Sequence, residues 1–115
     1  MDERIKAFQY NEWFEQEFGL KPGDRFWTWK LCLGLAAQWG AKTILETGCQ
    51  RMREDWGAGC STLLLGKFCE KFEANLSTVD ISQENLELAK LVAAEAGVEG
   101  YITFTASDSI AYLRD

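Results

Sequence analysis

The chain has 115 residues, 47% of them apolar and 26% charged, with a formal net charge of −6. This is the balance of one ordinary globular domain, long enough for a real core and too short for two. The acidic excess argues against a nucleic-acid surface, which needs clustered Lys and Arg, and no apolar run approaches the ~20 residues of a membrane span. The charged start MDERIKAF lacks the apolar core of a signal peptide, so a cytoplasmic location is expected.

Residues 3 to 18 carry Ile5, Phe8, Trp13, Phe14 and Phe18 at the spacing of an amphipathic helix. Gly19 to Gly23 break it. Asp24 is the expected N-cap of a second helix ending at Trp39, with Gly40 as its stop and Trp27, Leu31, Leu35 and Ala36 at helical spacing. Four tryptophans, Trp13, Trp27, Trp29 and Trp39, fall in this region, and core packing is the expected role for most of them. Residues 1–40 are thus read as a helical segment preceding an α/β portion over 41–115.

The pattern then changes to strand 43–47, helix 61–72, strand 76–81, a helix capped by Ser82 and stopped by Gly97, strand 101–105, and a last helix from Ser107 to Leu113. Alternation of this kind with short links predicts a parallel sheet. Right-handed crossovers permit the strand order 3-2-1, which turns all three carboxyl ends toward one crevice. The expected fold class is therefore α/β, a half Rossmann-like parallel sheet with two N-terminal helices.

The chemistry-bearing residues gather at those strand ends. Thr43–Thr62, TILETGCQRMREDWGAGCST, runs from a strand through a glycine-bearing loop into a helix, which concentrates unpaired N–H groups and the positive end of a helix dipole. The first strand ends in Glu46 and Gly48, the second in Asp80, and the third in Ser107 and Asp108. With strands about 4.8 Å apart, three ends make a row roughly 10 Å across, the span of a nucleoside with a short polar tail. Asp80 is placed to accept from the vicinal hydroxyls of a ribose, Ile81 to cover a base, and Asp108 to accept from an exocyclic amine. Strand-end and helix-capping roles remain the plain alternatives for the two acids.

Cys32, Cys49, Cys60 and Cys69 include no C-x-x-C pair, and the chain has no histidine. Reduced, mostly buried thiols are expected, with no metal site and no histidine-based hydrolase chemistry.

ETG followed by GAGCST, then VDIS, then ASDS, resembles the first half of a class I S-adenosylmethionine-dependent methyltransferase, closest to O-methyltransferase-like members. The likeness spans residues 43 to 115 well and the leading helices loosely. It implies S-adenosylmethionine as cofactor and methyl transfer to an oxygen or nitrogen of a small molecule. It also implies that Glu46, Gly48, Gly57 and Gly59 line the methionine part with Ser61 close by. Asp80 would lie on the ribose hydroxyls, Ile81 against adenine, and Asp108 near the adenine amine.

Two features depart from the family pattern. The insertion CQRMREDW separates Gly48 from Gly57; its Arg51, Arg53 and Trp56 either close over a ligand or form a solvated loop, and its Glu54 and Asp55 are conceivable base or metal residues only by their place in that loop, so no general base is named. The chain also ends where a fourth strand would begin, before the part that binds the acceptor in the family. Strand 43–47 would then stand as a sheet edge, and pairing along it with another copy or with a missing C-terminal half is expected. Two other readings stand beside the methyltransferase one. The Gly57-x-Gly59 pair with Asp80 meets part of a nicotinamide-dinucleotide fingerprint, although Thr62 replaces its third glycine and Glu46 would repel a pyrophosphate. A non-catalytic binding or assembly module of the same fold is the third.

Overall fold

The computed structural model describes residues 3–19, 26–49 and 61–114. They form two compact units, Met1–Ala41 and Lys42–Asp115. The chain is mixed α/β, with five α-helices and a three-stranded parallel sheet among the described residues.

The first unit is a pair of helices, α1 (Glu3–Phe18) and α2 (Phe26–Trp39). Tyr10, Phe14 and Phe18 of α1 and Leu33 of α2 are buried among its described residues. Phe14 and Phe18 meet edge to face with centroids 5.2 Å apart, an arrangement aromatic quadrupoles favour. The Tyr10 hydroxyl donates to the Lys30 carbonyl at 2.6 Å, which ties the two helices together. Lys30 also pairs with Glu15 at 3.0 Å. Asp24, the expected cap of α2, lies outside the described residues.

The expectation for the tryptophans fails at two positions. Trp27 and Trp39 are 67% and 77% exposed, and Leu31 and Leu35 are exposed beside them. Periodicity marks an apolar face correctly; it does not say which of two apolar faces meets α1.

The second unit contains β1 (Thr43–Thr47), α3 (Ser61–Phe72), β2 (Asn75–Asp80), α4 (Gln83–Glu95), a 3₁₀ turn (Glu99–Tyr101), β3 (Ile102–Ala106) and α5 (Ser109–Arg114). The strands lie in the order β1-β2-β3, all parallel, with β2 central. This is the 3-2-1 neighbour order seen from the other edge. Among the described residues, β1 is paired on one side only. Ser82 caps α4, its side chain accepting from the Asn85 N–H at 3.2 Å.

In the parallel register Leu76 of the central strand sits between Ile44 and Ile102, and Thr78 between Glu46 and Phe104. Period-2 alternation puts these residues on one face of the sheet, where α3 and α4 pack. Leu63 of α3, Val92 and Ala93 of α4 and Val98 form one buried cluster with Ile102 and Phe104 against it. Cys49, Leu86 and Ala89 form a second, next to Phe104. Gly66 lets α3 come close, because a Cβ there would lie 2.9 Å from Val98 Cγ2 and 3.0 Å from Ile102 Cδ1. Both crossover helices occupy the same face, as expected when two successive right-handed connections advance in one direction.

Candidate functional site at the strand ends

Two backbone hydrogen bonds stitch the carboxyl ends of the strands into one rim. The Gly48 N–H donates to the Val79 carbonyl at 2.7 Å, and the Ser107 N–H to the Asp80 carbonyl at 3.1 Å. The chain leaves β1 through Gly48 at φ +87°, in the left-handed region that penalises a Cβ. Among the described residues, no atom lies within 4 Å of where that Cβ would stand, so their side chains do not crowd the backbone at this point of the rim.

Asp80 is held against this turn. Its Oδ2 accepts from the Cys49 N–H at 3.0 Å and from the Cys49 thiol at 3.4 Å, and its Oδ1 accepts from the Ser82 N–H at 2.7 Å. Burial pushes the Asp80 carboxyl up, but the hydrogen bonds from Ser82 and Cys49 outweigh burial and hold it below its ordinary value. The thiol responds in the opposite sense. Burial first, then the hydrogen bond to Asp80 and the charges of Asp80 and Glu46, push Cys49 up to about 12. It is a protonated donor at neutral pH, not a nucleophile.

The rim encloses a concavity of about 290 Å³ lined by Thr47, Gly48, Asp80, Ile81, Ser107 and Asp108, with Val79 and Ser109 completing it. That volume falls at the low end of the ~300–1,000 Å³ typical of small-molecule sites. Ile81 is 77% exposed and gives the concavity an apolar wall. Asp108 is exposed and caps α5, its Oδ1 accepting from the Ile110 and Ala111 N–H groups at 2.8 and 3.2 Å. A larger groove of about 400 Å³ lies in the helical unit, beside Trp27 and Leu31. It gathers no set of convergent acids, so the strand-end concavity is the candidate site.

Five of the residues singled out in the sequence therefore come together: Gly48, Asp80, Ile81, Ser107 and Asp108. Glu46 and Ser61 do not line the concavity, and Gly57 and Gly59 lie outside the described residues, as does the Cys49–Trp56 insertion beyond Cys49 itself. Ser61 begins α3 and is half-buried. Glu46 is buried on the helix-covered face of the sheet. Its Oε1 accepts from Thr62 of α3 and Thr78 of β2, both at 2.7 Å, while Oε2 is buried with no hydrogen-bond partner among the described residues. The carboxylate thus braces the first turn of α3 to the sheet.

Thr62 and Thr78, which donate to Glu46, and Cys49, which donates to Asp80, are contacts that sequence reasoning missed. The shared parity of Glu46 and Thr78 on adjacent strands was the available signal, and it is readable only once the register is known. Among the described residues there is no group of three or more His, Cys, Asp or Glu able to hold a metal ion, and no described helix is long and apolar enough to cross a membrane. Compared with models of known protein families and with curated proteins, the chain matches none.

Proposed function

We propose that residues 42–115 are the Rossmann-like, cofactor-binding portion of an S-adenosylmethionine-dependent methyltransferase that acts on an oxygen or nitrogen of a small molecule. The observation that carries this reading is the meeting of Asp80 with the Gly48–Cys49 backbone, 3.0 Å from carboxylate to N–H, at the carboxyl end of a parallel sheet. A crevice at that end of an open α/β sheet is where such folds take ligands.

The acceptor set suits the cofactor's nucleoside. A carboxylate offers about four acceptor positions, and Asp80 uses three on its own chain. One ribose hydroxyl is accepted by Oδ1, and the second takes the place of the weak 3.4 Å thiol contact at Oδ2. Ile81 covers the adenine face, Asp108 Oδ2 accepts from the adenine amine, and Gly48 admits the cofactor close to the backbone. Glu46 acts indirectly, by fixing the start of α3. When bound, S-adenosylmethionine supplies an electrophilic methyl group on its sulfonium; the residues named here bind and orient.

Calorimetric titration with S-adenosylmethionine, S-adenosylhomocysteine and NAD tests the proposal. The first two are expected to bind and NAD is not, and Asp80→Ala should abolish binding. Binding of NAD alone would move the site to the dinucleotide class. Binding of none would leave a non-catalytic module of the same fold.

A further inference from the structure

The apolar side chains that α2 leaves in solvent form a single row. Trp27, Leu31, Leu35 and Trp39 follow one another at intervals of four and are 67%, 64%, 47% and 77% exposed. Successive steps of four turn a helix by only about 40°, so the row is one continuous ridge. Leu33, buried at 4%, points to the opposite side of the helix. Helix α2 thus buries Leu33 and leaves this row largely exposed, with Trp27 beside the Lys30 ammonium at 5.5 Å and Trp27, Leu31 and Leu35 bordering the groove shared with Tyr10 and Asn11 of α1.

We infer that this ridge is a self-association surface, on which α2 of a second copy of the chain packs antiparallel about a two-fold axis. The order Trp-Leu-Leu-Trp is palindromic about residue 33. A two-fold axis there sets Trp27 against Trp39 of the other copy and Leu31 against Leu35, the self-complementarity that an isologous interface requires. Like ridges of the four-residue kind interdigitate in the commonest class of helix packing.

Area and charge agree with this occupant. The exposed parts of the four side chains amount to roughly 450–500 Å² per copy, from about 250 Å² for a whole Trp and about 100 Å² for a whole Leu. Complete burial of the four side chains in two copies removes roughly 900–1,000 Å² before Thr28, Cys32 and Gln38 contribute, close to the ~1,000 Å² lower bound of a specific interface. Lys30 is the one charged residue of α2, and it is paired with Glu15 at 3.0 Å, so two ridges meet without repulsion between like charges. A helix lying on an anionic membrane would instead carry flanking Lys and Arg.

Sedimentation equilibrium of the full chain between about 1 and 200 μM tests the inference, and a monomer–dimer equilibrium is expected. Leu31→Lys and Leu35→Glu should each weaken dimerisation at least tenfold with unchanged far-UV circular dichroism. Mixing the two variants should restore dimers, because the antiparallel arrangement sets the introduced ammonium of one chain against the introduced carboxylate of the other. Cys32, exposed and one residue from the two-fold centre, gives a readout in the unmutated ridge. A short bis-maleimide should link wild-type chains as dimers, and Cys32→Ser should abolish the product. A strictly monomeric wild type overturns the inference. So does a dimer that survives Leu31→Lys, since that dimer would pair elsewhere, for example along the edge of β1. Failure of the mixed variants to associate would reject the antiparallel register.

Discussion

Thr78→Val isolates the brace between β1, β2 and α3. Thr78 is 0% exposed and Val has nearly its shape, so the substitution removes the hydroxyl and opens little cavity. What is lost is one 2.7 Å hydrogen bond to a buried carboxylate that already has one oxygen unpartnered among the described residues. Hydrogen bonds to charged groups contribute about 1.5–3 kcal/mol net, so a loss of that size is expected. In a unit of this length each kcal/mol moves Tm by about 4–8 °C. Urea unfolding followed by far-UV circular dichroism measures it. The diagnostic quantity is the coupling energy in a double-mutant cycle with Glu46→Leu. With the carboxylate gone, the Thr78 hydroxyl has lost its acceptor, and Thr78→Val should then cost nothing or even stabilise. A loss below about 0.5 kcal/mol for Thr78→Val alone, or strict additivity in the cycle, would refute the brace.

The carboxyl of Asp80 is held low, so its contribution to stability is present above the unfolded value of about 3.9 and is lost as pH falls through its lower folded value. Asp80→Asn should flatten the acid limb of a stability–pH profile below about pH 4, and an unchanged limb would reject the Cys49 and Ser82 contacts. The buried thiols act at the other end of the scale. Cys49 is pushed up to about 12 and Cys69, by burial, to about 11, so both favour the protonated fold and stability should decline as pH rises from about 9 towards those values. At about pH 8, near the ordinary thiol value, iodoacetamide should modify exposed Cys32 well before Cys49 or Cys69, as peptide mass mapping would show. Gly66→Val should destabilise by about 1–3 kcal/mol in urea, because its Cβ meets Val98 and Ile102 in a packed core. Gly48→Ala meets no atom of the described residues, so its cost should be backbone strain alone, about 1–2 kcal/mol in the same assay, with Asn tolerated better than Ala.

Much of this architecture is legible in the chain itself. Local signals act over a few residues and need no partner. The short strand-like run Thr43–Thr47, the N-cap at Ser82 and the glycine stops at Gly40 and Gly97 therefore mark their elements to within one or two residues. The β-α-β-α-β succession adds the parallel sheet, because a connection long enough to hold a helix returns the chain in the same direction. Once that sheet exists, Gly48, Asp80 and Asp108 must share its carboxyl end.

Contacts across the sheet were decided by register and depth, which no short window encodes. Glu46 reads as a strand-end acid, and its place beside Thr78 and next to Thr62, whose hydroxyls both donate to its Oε1, is visible only once the register is known. Asp80 reads as an open carboxylate, yet the turn at Gly48 brings Cys49 onto it and engages most of its acceptor positions. The helical unit carries the same lesson. Apolar spacing in α2 is visible from sequence, but only packing against α1 selects Leu33 for burial and leaves Trp27 and Trp39 in solvent. Composition and periodicity determined which elements form and which residues are apolar. Tertiary structure decided which faces meet and which polar groups find each other, because burial and hydrogen bonding depend on distances between residues far apart in the chain.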